Sequence, residues 1–343
     1  KNKDAFHASV TDYATGAVYS ISPDANGEML VTERFQEDFG EELDPVEEFE
    51  PNERALFQAR LSNARSDTSR RPTSKSHHRA LQAEPSSTID VLVLWTAYAE
   101  CRNSYLAQGC SRTDTTESNI RGMIDLAVEE TNAAYSSSGV DAELNLVHAY
   151  YTDYVEASED AFVTALDHLH TTDDGVMDDA HEKRKEFGAD VVALIIHDDQ
   201  YCGIGYNGPR VDLMFSVTKW SCATGYYSFG HEIGHNLGCN HDKGTDDACA
   251  NTNYNYGYRD PAAEFRSILA YNCKSGQCDN NTVGVCTRVQ RFSNPNFLYN
   301  GKAMGNAETD NARHINDVRV EVAAYFDSSS SQPSMSHTST GVP

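Results

Sequence analysis

Between positions 231 and 242 the chain reads His231-Glu232-Ile233-Gly234-His235-Asn236-Leu237-Gly238-Cys239-Asn240-His241-Asp242, and this segment constrains the fold most tightly. On a helix His231 and His235 stand one turn apart, so both imidazoles leave the same face and can reach one cation. A third ligand needs a sharp turn after the helix. Gly238 permits the positive φ of such a turn, which brings His241 back towards the other two. Three nitrogen donors and an open position are what catalytic zinc requires. Glu232 would not bind the ion; it is placed to accept a proton from zinc-bound water, whose pKa falls to about 7, and to pass it to a leaving amine. The metal would also polarise the scissile carbonyl and stabilise its developing oxyanion. Chance assembly of the five fixed residues of HExxHxxGxxH in this composition has a probability on the order of 10⁻⁴. The competing readings are surface histidines on an ordinary helix, or a zinc site without catalysis, and the intact Glu232 argues against the latter.

A chain of 343 residues accommodates one large catalytic domain and a small accessory segment. No apolar run approaches the roughly 20 residues that span a bilayer. The formal charge of -25 argues against nucleic-acid binding, which needs clustered Lys and Arg. Acidic residues concentrate in Glu37 to Glu53, which reads as a solvated, partly extended segment rather than catalytic surface. All nine cysteines follow residue 100. Short spacings such as Cys101 to Cys110 and Cys239 to Cys249 suit local disulfides in an oxidising compartment, with connectivity open and one thiol left over. Lys1 is expected to follow a removed signal peptide or another boundary. Asn280-Asn281-Thr282 is a weak N-glycosylation pattern that marks a surface loop.

Along the chain, short β-like pieces at Ala17 to Ile21 and Met29 to Thr32 suggest a small accessory unit before residue 50. Arg60 to Arg79 is polar and basic, as in a flexible linker open to a processing protease. Residues 1–80, with the linker at 60–80, therefore read as a pro-segment, residues 81–326 as the catalytic domain and 327–343 as a disordered Ser/Thr-rich tail. Val91 to Trp95 and Val191 to Ile196 have the length and apolarity of buried strands. Ile120, Met123, Ile124, Ala127, Val128 and Tyr135 recur at helical spacing. Leu144 and Leu146 mark another strand, and Asn311 to Phe326 a last helix. Alternating strands and helices make an α/β arrangement with a mixed sheet. His148, His168, His170, His181, His197 and His314 lack ligand spacing and read as surface or hydrogen-bonded residues.

The motif resembles that of the metzincin metallopeptidases, and Asp242 after the third histidine resembles the reprolysin (adamalysin) branch. Gly188-Ala189-Asp190, Cys202-Gly203-Ile204-Gly205-Tyr206, Cys222-Ala223-Thr224-Gly225-Tyr226-Tyr227-Ser228 and Phe292-Ser293-Asn294-Pro295 are similar to secreted microbial members. The resemblance covers roughly residues 88–326. It implies an α/β (α+β) domain with a twisted, mixed five-stranded sheet, a long active-site helix and a small C-terminal subdomain, preceded by a small β-rich pro-segment. It further implies one catalytic zinc on His231, His235 and His241, with Glu232 as general base. An edge strand near Cys202 to Asn207 would pair with extended substrate backbone. The methionine turn of the clan corresponds to Arg266-Ser267-Ile268-Leu269-Ala270-Tyr271, with Leu269 in place of methionine, a swap of similar volume. Tyr271 is a candidate ligand to the metal or oxyanion, and otherwise a packed wall residue. The primed-side pocket would lie in the loops after Tyr271. Calcium is a further expected ion, with no loop pattern to name its site.

The expected protein is thus a secreted, monomeric zinc endopeptidase acting on protein or peptide substrates, with no nucleic-acid partner and no membrane span. A non-catalytic binding module on the same fold, or a gametolysin-like cell-wall peptidase, are the alternatives. No cysteine precedes residue 100, so any latency must come from steric cover or from a carboxylate among Glu37 to Glu53.

Overall fold

Three short strands open the structure, a computed structural model that describes residues 5–46, 86–107, 110–157, 160–262, 264–273 and 285–326. Ala8–Asp12 (β1), Ala17–Pro23 (β2) and Met29–Phe35 (β3) form an antiparallel sheet, and the two expected β-like pieces fall on β2 and β3. The basic linker, the glycosylation pattern and the C-terminal tail lie outside the described residues.

The α/β region begins with Ser87–Trp95 (β4), followed by helices Ala97–Asn103 (α1) and Asp114–Ser138 (α2). Thr113 caps α2 through a capping box with Thr116, and Gly139 ends it at φ 72°, a left-handed conformation that costs glycine little. The helix buries the expected stripe of Ile120, Met123, Ile124, Ala127, Val128 and Tyr135. Ala142–Tyr151 (β5), Ala161–His170 (α3), Asp179–Phe187 (α4), Val191–Ile196 (β6), Gly203–Gly205 (β7) and Phe215–Lys219 (β8) complete the layer.

The five strands run in the order β5-β4-β6-β8-β7, parallel except for β7, which is antiparallel to β8 and forms the edge. Strand alternation divides the core. Val91, Val93, Trp95, Val191, Ala193 and Ile195 face α2 and the metal-motif helix, whereas Leu92, Leu94, Val192, Leu194 and Ile196 pack on the side of α3 and α4. Each such aliphatic side chain contributes roughly 1.5–3 kcal/mol by leaving water, which explains why the central strands read as continuous apolar runs.

After a helical turn at Trp220–Ala223 comes Ser228–Asn236 (α5), which carries His231 and His235. It has nine residues, shorter than the long active-site helix the resemblance implies, because the turn at Gly238 stops it; the long helix is α2. Beyond it lie Asn240–Asp242 (β9), Tyr256–Gly257 (β10), Phe265–Arg266 (β11), Thr287–Arg288 (β12), Asn294–Tyr299 (β13), Lys302–Met304 (β14) and Asn311–Val322 (α6). Disulfides join Cys101 to Cys110, Cys202 to Cys222 and Cys273 to Cys286, and Cys249 is also disulfide-bonded. The suggested Cys239–Cys249 pairing is not formed. Cys239 is the free cysteine, buried in the core that also holds Tyr135, and burial pushes its thiol pKa up.

The N-terminal sheet packs on the α/β region. Ser9 donates to the buried Glu130 of α2, whose other oxygen accepts from the Gly225 amide at 2.8 Å. Thr11 and Tyr13 hydroxyls each lie 3.0 Å from the Tyr227 hydroxyl at the start of α5. The Asn119 amide group donates to the Pro23 and Asp24 carbonyls.

Candidate active site

Helix α5 begins after Tyr227, a non-glycine residue at φ 66°, a strained conformation of the sort that persists where packing over-determines it. Asn236 fixes the other end: its Nδ2 lies 3.0, 3.3 and 2.9 Å from the carbonyls of Tyr206, Leu213 and Phe215. The helix is thereby moored to the edge of the sheet. Its exit is a Schellman turn, with the Cys239 amide donating to the Gly234 carbonyl, the Gly238 amide to the His235 carbonyl, and Gly238 at φ 85°. This turn carries the chain into β9 and returns His241.

The three imidazoles converge as the spacing predicts. Their Nε2 atoms lie 3.0, 3.0 and 3.3 Å apart. Nδ1 of His231 donates to the Ile268 carbonyl at 2.8 Å and Nδ1 of His235 to the Cys239 carbonyl at 2.7 Å, while Nδ1 of His241 lies 3.2 Å from an Asp246 oxygen. Those outer partners assign the N–H to Nδ1 and leave Nε2 as a lone-pair donor. Three lone pairs facing one another in a buried space repel unless a cation lies between them. The separations match ligands at the roughly 2.0–2.1 Å of zinc–imidazole bonds, so the residues fit the expected metal.

Burial, reinforced by Arg288 and His241, lowers His231 to about 3, and burial also holds His235 well below its usual value. At His241 burial acts in the same sense, but Asp246 outweighs it and raises the pKa. Glu232 is fully buried, neither carboxylate oxygen has a hydrogen-bond partner among the described residues, and burial followed by the nearby Glu42 raises its pKa well above the usual carboxylate range. A buried carboxylate in that condition is an acceptor waiting for a proton donor. Space beside it depends on glycine: a Cβ on Gly203 would stand 2.2 Å from Glu232 Oε1.

Leu269 lies at the methionine-turn position and forms the floor, since a Cβ on Gly234 would meet its Cδ2 at 2.9 Å. Tyr271 packs its ring 4.3 Å from the His241 ring, and its hydroxyl donates to the Glu42 carbonyl. Its amide donates to Asp242 Oδ2 at 3.0 Å, and Asp242 also pairs with the buried Arg259. Asp242 therefore ties the third ligand's strand to the turn beneath the metal, a role its place in the motif did not reveal. Of the other histidines, His197 accepts from Trp220 Nε1, His168 bonds Asp174 and His148 stacks on Phe187.

In the acidic run Glu37, Asp38, Glu41 and Asp44 are exposed, as a solvated segment requires, but Glu42 is buried and residues 41–46 run along β7, over the site rather than away from it; residues 47–53 lie outside the described residues. The Cys202 amide donates to the Glu41 carbonyl, Leu43 to Gly203, Val46 to Gly205 and Asn207 to Val46, at 2.8–2.9 Å, with Val46 and Tyr206 parallel. Glu42 is 3% exposed, because Arg288 lies beneath it. The sequence singled out Glu42 only as one carboxylate among Glu37 to Glu53 and Arg288 not at all, since the pairing of the two joins distant parts of the chain.

Residues 122–242 match the family described as Metallo-peptidase family M12B Reprolysin-like. A peptidyl-Asp metalloendopeptidase of Xanthomonas campestris pv. campestris is 38% identical over 209 residues, covering 60% of this chain and 47% of that protein. One of Stenotrophomonas maltophilia strain K279a is 39% identical over 212 residues, covering 60% and 48% respectively. A third, from Pseudomonas fragi, is 38% identical over 111 residues, covering 32% of this chain and 66% of that protein. The chain spans about half the length of the first two relatives.

Proposed function

We propose that this chain, which carries a metzincin-type zinc metallopeptidase domain, is a zinc-dependent endopeptidase that hydrolyses protein substrates bound in extended form. The observation that carries the proposal is the convergence of three Nε2 lone pairs beside a buried carboxylate without a partner among the described residues. His231, His235 and His241 would hold the ion. Bound there, zinc supplies Lewis acidity towards a carbonyl and an acidified water as nucleophile.

The chain's own residues do the rest. Glu232, with neither oxygen partnered among the described residues, takes a proton at a carboxylate oxygen and delivers it to the departing amine. The Tyr271 hydroxyl donates to a backbone carbonyl of the segment lying over the site, which supports the same contact with a substrate carbonyl. The β7 edge already takes an extended segment through main-chain bonds, which supports substrate binding by strand addition. The relatives are named for peptidyl-Asp bonds, and we extend a preference for aspartate to this chain.

Residues 1–80 act in this reading as a pro-segment, removed by cleavage within the basic stretch 60–79. The disulfides support passage through an oxidising compartment and hence secretion, and the enzyme acts as a monomer. Among the described residues no helix is long and apolar enough to cross a membrane.

The test is hydrolysis of an unfolded protein by the zinc-loaded chain, cut between residues 47 and 85, with and without a chelator. Cleavage that stops on chelation and returns with zinc is the expected result. Intact substrate with zinc bound would instead favour a binding module built on the same fold.

A further inference from the structure

Resting on the endopeptidase reading, we infer that Arg288 is the floor of a pocket selecting an acidic substrate side chain, and that Glu42 is its built-in occupant, blocking the site from within the chain.

One side of the pocket is built from residues outside the segment, among them Tyr226, Arg266 and Arg288. The Arg288 guanidinium lies 4.1 Å from the Tyr226 ring centroid, and its NH1 donates to the Tyr226 carbonyl at 3.1 Å. Arg266, directly behind, is consumed by structure: it donates to the carbonyls of Cys286 and Ala270 and to the Tyr226 hydroxyl. Arg288 is different. Its two terminal nitrogens face Glu42, NH1 at 2.6 Å from Oε1 and NH2 at 2.8 Å from Oε2, and Ser228 Oγ donates to Oε1 at 2.7 Å. This is the two-pronged geometry by which arginine recognises a carboxylate. Burial alone would raise the Glu42 pKa, yet Arg288, His231 and Ser228 together hold it well below the carboxylate range.

The placement of Glu42 marks it as more than an interface ion pair. Its carbonyl accepts from Tyr271, whose ring lies against the ligand His241, and its neighbours Glu41 and Leu43 bond to Cys202 and Gly203 on β7. The backbone thus lies across the metal site as an extended chain, while the side chain drops into the Arg288 pocket at the end of α5 that begins with Ser228. An incoming peptide on the same edge would put a side chain in the same place. If residues 36–46 leave, Arg288 keeps the Tyr226 carbonyl and ring among the contacts described here and loses its carboxylate partner. A substrate carboxylate restores the pair, whereas a neutral side chain leaves it broken.

Other contacts hold the occupant down. The Gln36 side chain pairs with the backbone of Arg288, Nε2 to its carbonyl at 2.8 Å and Oε1 from its amide at 2.6 Å. Phe39 stacks on Tyr226 at 4.5 Å, with Arg34 over its other face at 3.8 Å. The segment is therefore held at several points besides Glu42.

The experiment uses the full zinc-loaded chain, Glu42→Gln and the double variant Glu42→Gln/Arg288→Gln. Hydrogen exchange is read at the amides of Leu43 and Val46, with amides of β4 and β6 as the control for folding. Hydrolysis is read with fluorogenic peptides in which one Asp, or Asn in its place, is moved through each position. Glu42→Gln is expected to speed exchange at Leu43 and Val46, leave β4 and β6 protected, and raise turnover ~10-fold or more, since removing one partner of a buried charged pair is strongly destabilising. It should prefer Asp over Asn at one position by ~10-fold or more, a preference that falls to about 1 in the double variant. Unchanged exchange and turnover in Glu42→Gln, or the same Asp/Asn ratio in both variants, would overturn the proposal. Faster exchange with no cleavage by any form would instead remove the endopeptidase reading while supporting the clamp.

Discussion

Glu232 and Gly203 form the tightest contact of residue types in the site. Because a Cβ at 203 would stand 2.2 Å from Glu232 Oε1 and 2.7 Å from Cδ, Gly203→Ala must displace the carboxylate. A shift of about 1 Å costs on the order of 10²-fold in rate, so kcat/KM should fall by about that factor while the bound zinc, measured by elemental analysis, stays the same. Leu269→Met is the opposite case. Volume is conserved at the floor, so thermal melting should place the variant within about 1.5 kcal/mol of the parent. The convergence of His231, His235 and His241 was legible in sequence because they span eleven positions, and a helix plus one glycine turn dictates their geometry. Glu42 and Arg288 were not legible: they are 246 positions apart, and nothing local in either neighbourhood implies the other. Cys239 misled for the converse reason, since proximity to Cys249 in sequence says nothing of a thiol that its own turn directs into the core.

At the scale of elements, the turn closing α5 decides whether the third ligand reaches the other two. A Cβ on Gly238 would lie 2.6 Å from His314 Nε2 and 3.0 Å from Pro209 Cδ, at a φ of 85°. Gly238→Ala should therefore cost more than about 1 kcal/mol in denaturant unfolding and weaken zinc affinity measured by competition with a chelating dye. The buried strands and α2 were legible because continuous apolar runs and helical spacing are imposed by burial on two faces and on one. The exposure of Glu37, Asp38, Glu41 and Asp44 was legible because charge favours solvent. The burial of Glu42 was not, because it rests on one buried arginine and on four main-chain bonds between residues 41–46 and 202–207, parts of the chain that composition cannot connect.

For the whole molecule, the N-terminal sheet and the α/β region share the buried Glu130. Burial raises its pKa to about 7, against opposing bonds from Ser9 and Gly225. The folded state therefore keeps a proton that the unfolded chain loses near its ordinary value of 4.5, so this group's contribution to stability is present below that pH and declines as pH rises to about 7. The decline amounts to about 3 kcal/mol. Glu130→Gln should flatten that part of the pH–stability profile, as followed by thermal melting; an unchanged slope would show that the sheet docks without a protonated Glu130. The short leading strands β2 and β3 were legible from their flanking turn residues, whereas the way the N-terminal sheet packs was not, because it depends on Ser9, Thr11 and Tyr13 reaching partners more than 100 positions away.

The proposal that three histidines hold zinc while Glu232 moves the proton is tested most directly by Glu232→Gln in the zinc-loaded chain cut between residues 47 and 85. The variant should bind one zinc per chain as tightly as the parent and lose peptide hydrolysis by ~100-fold or more. Undiminished turnover in a zinc-replete variant would contradict it.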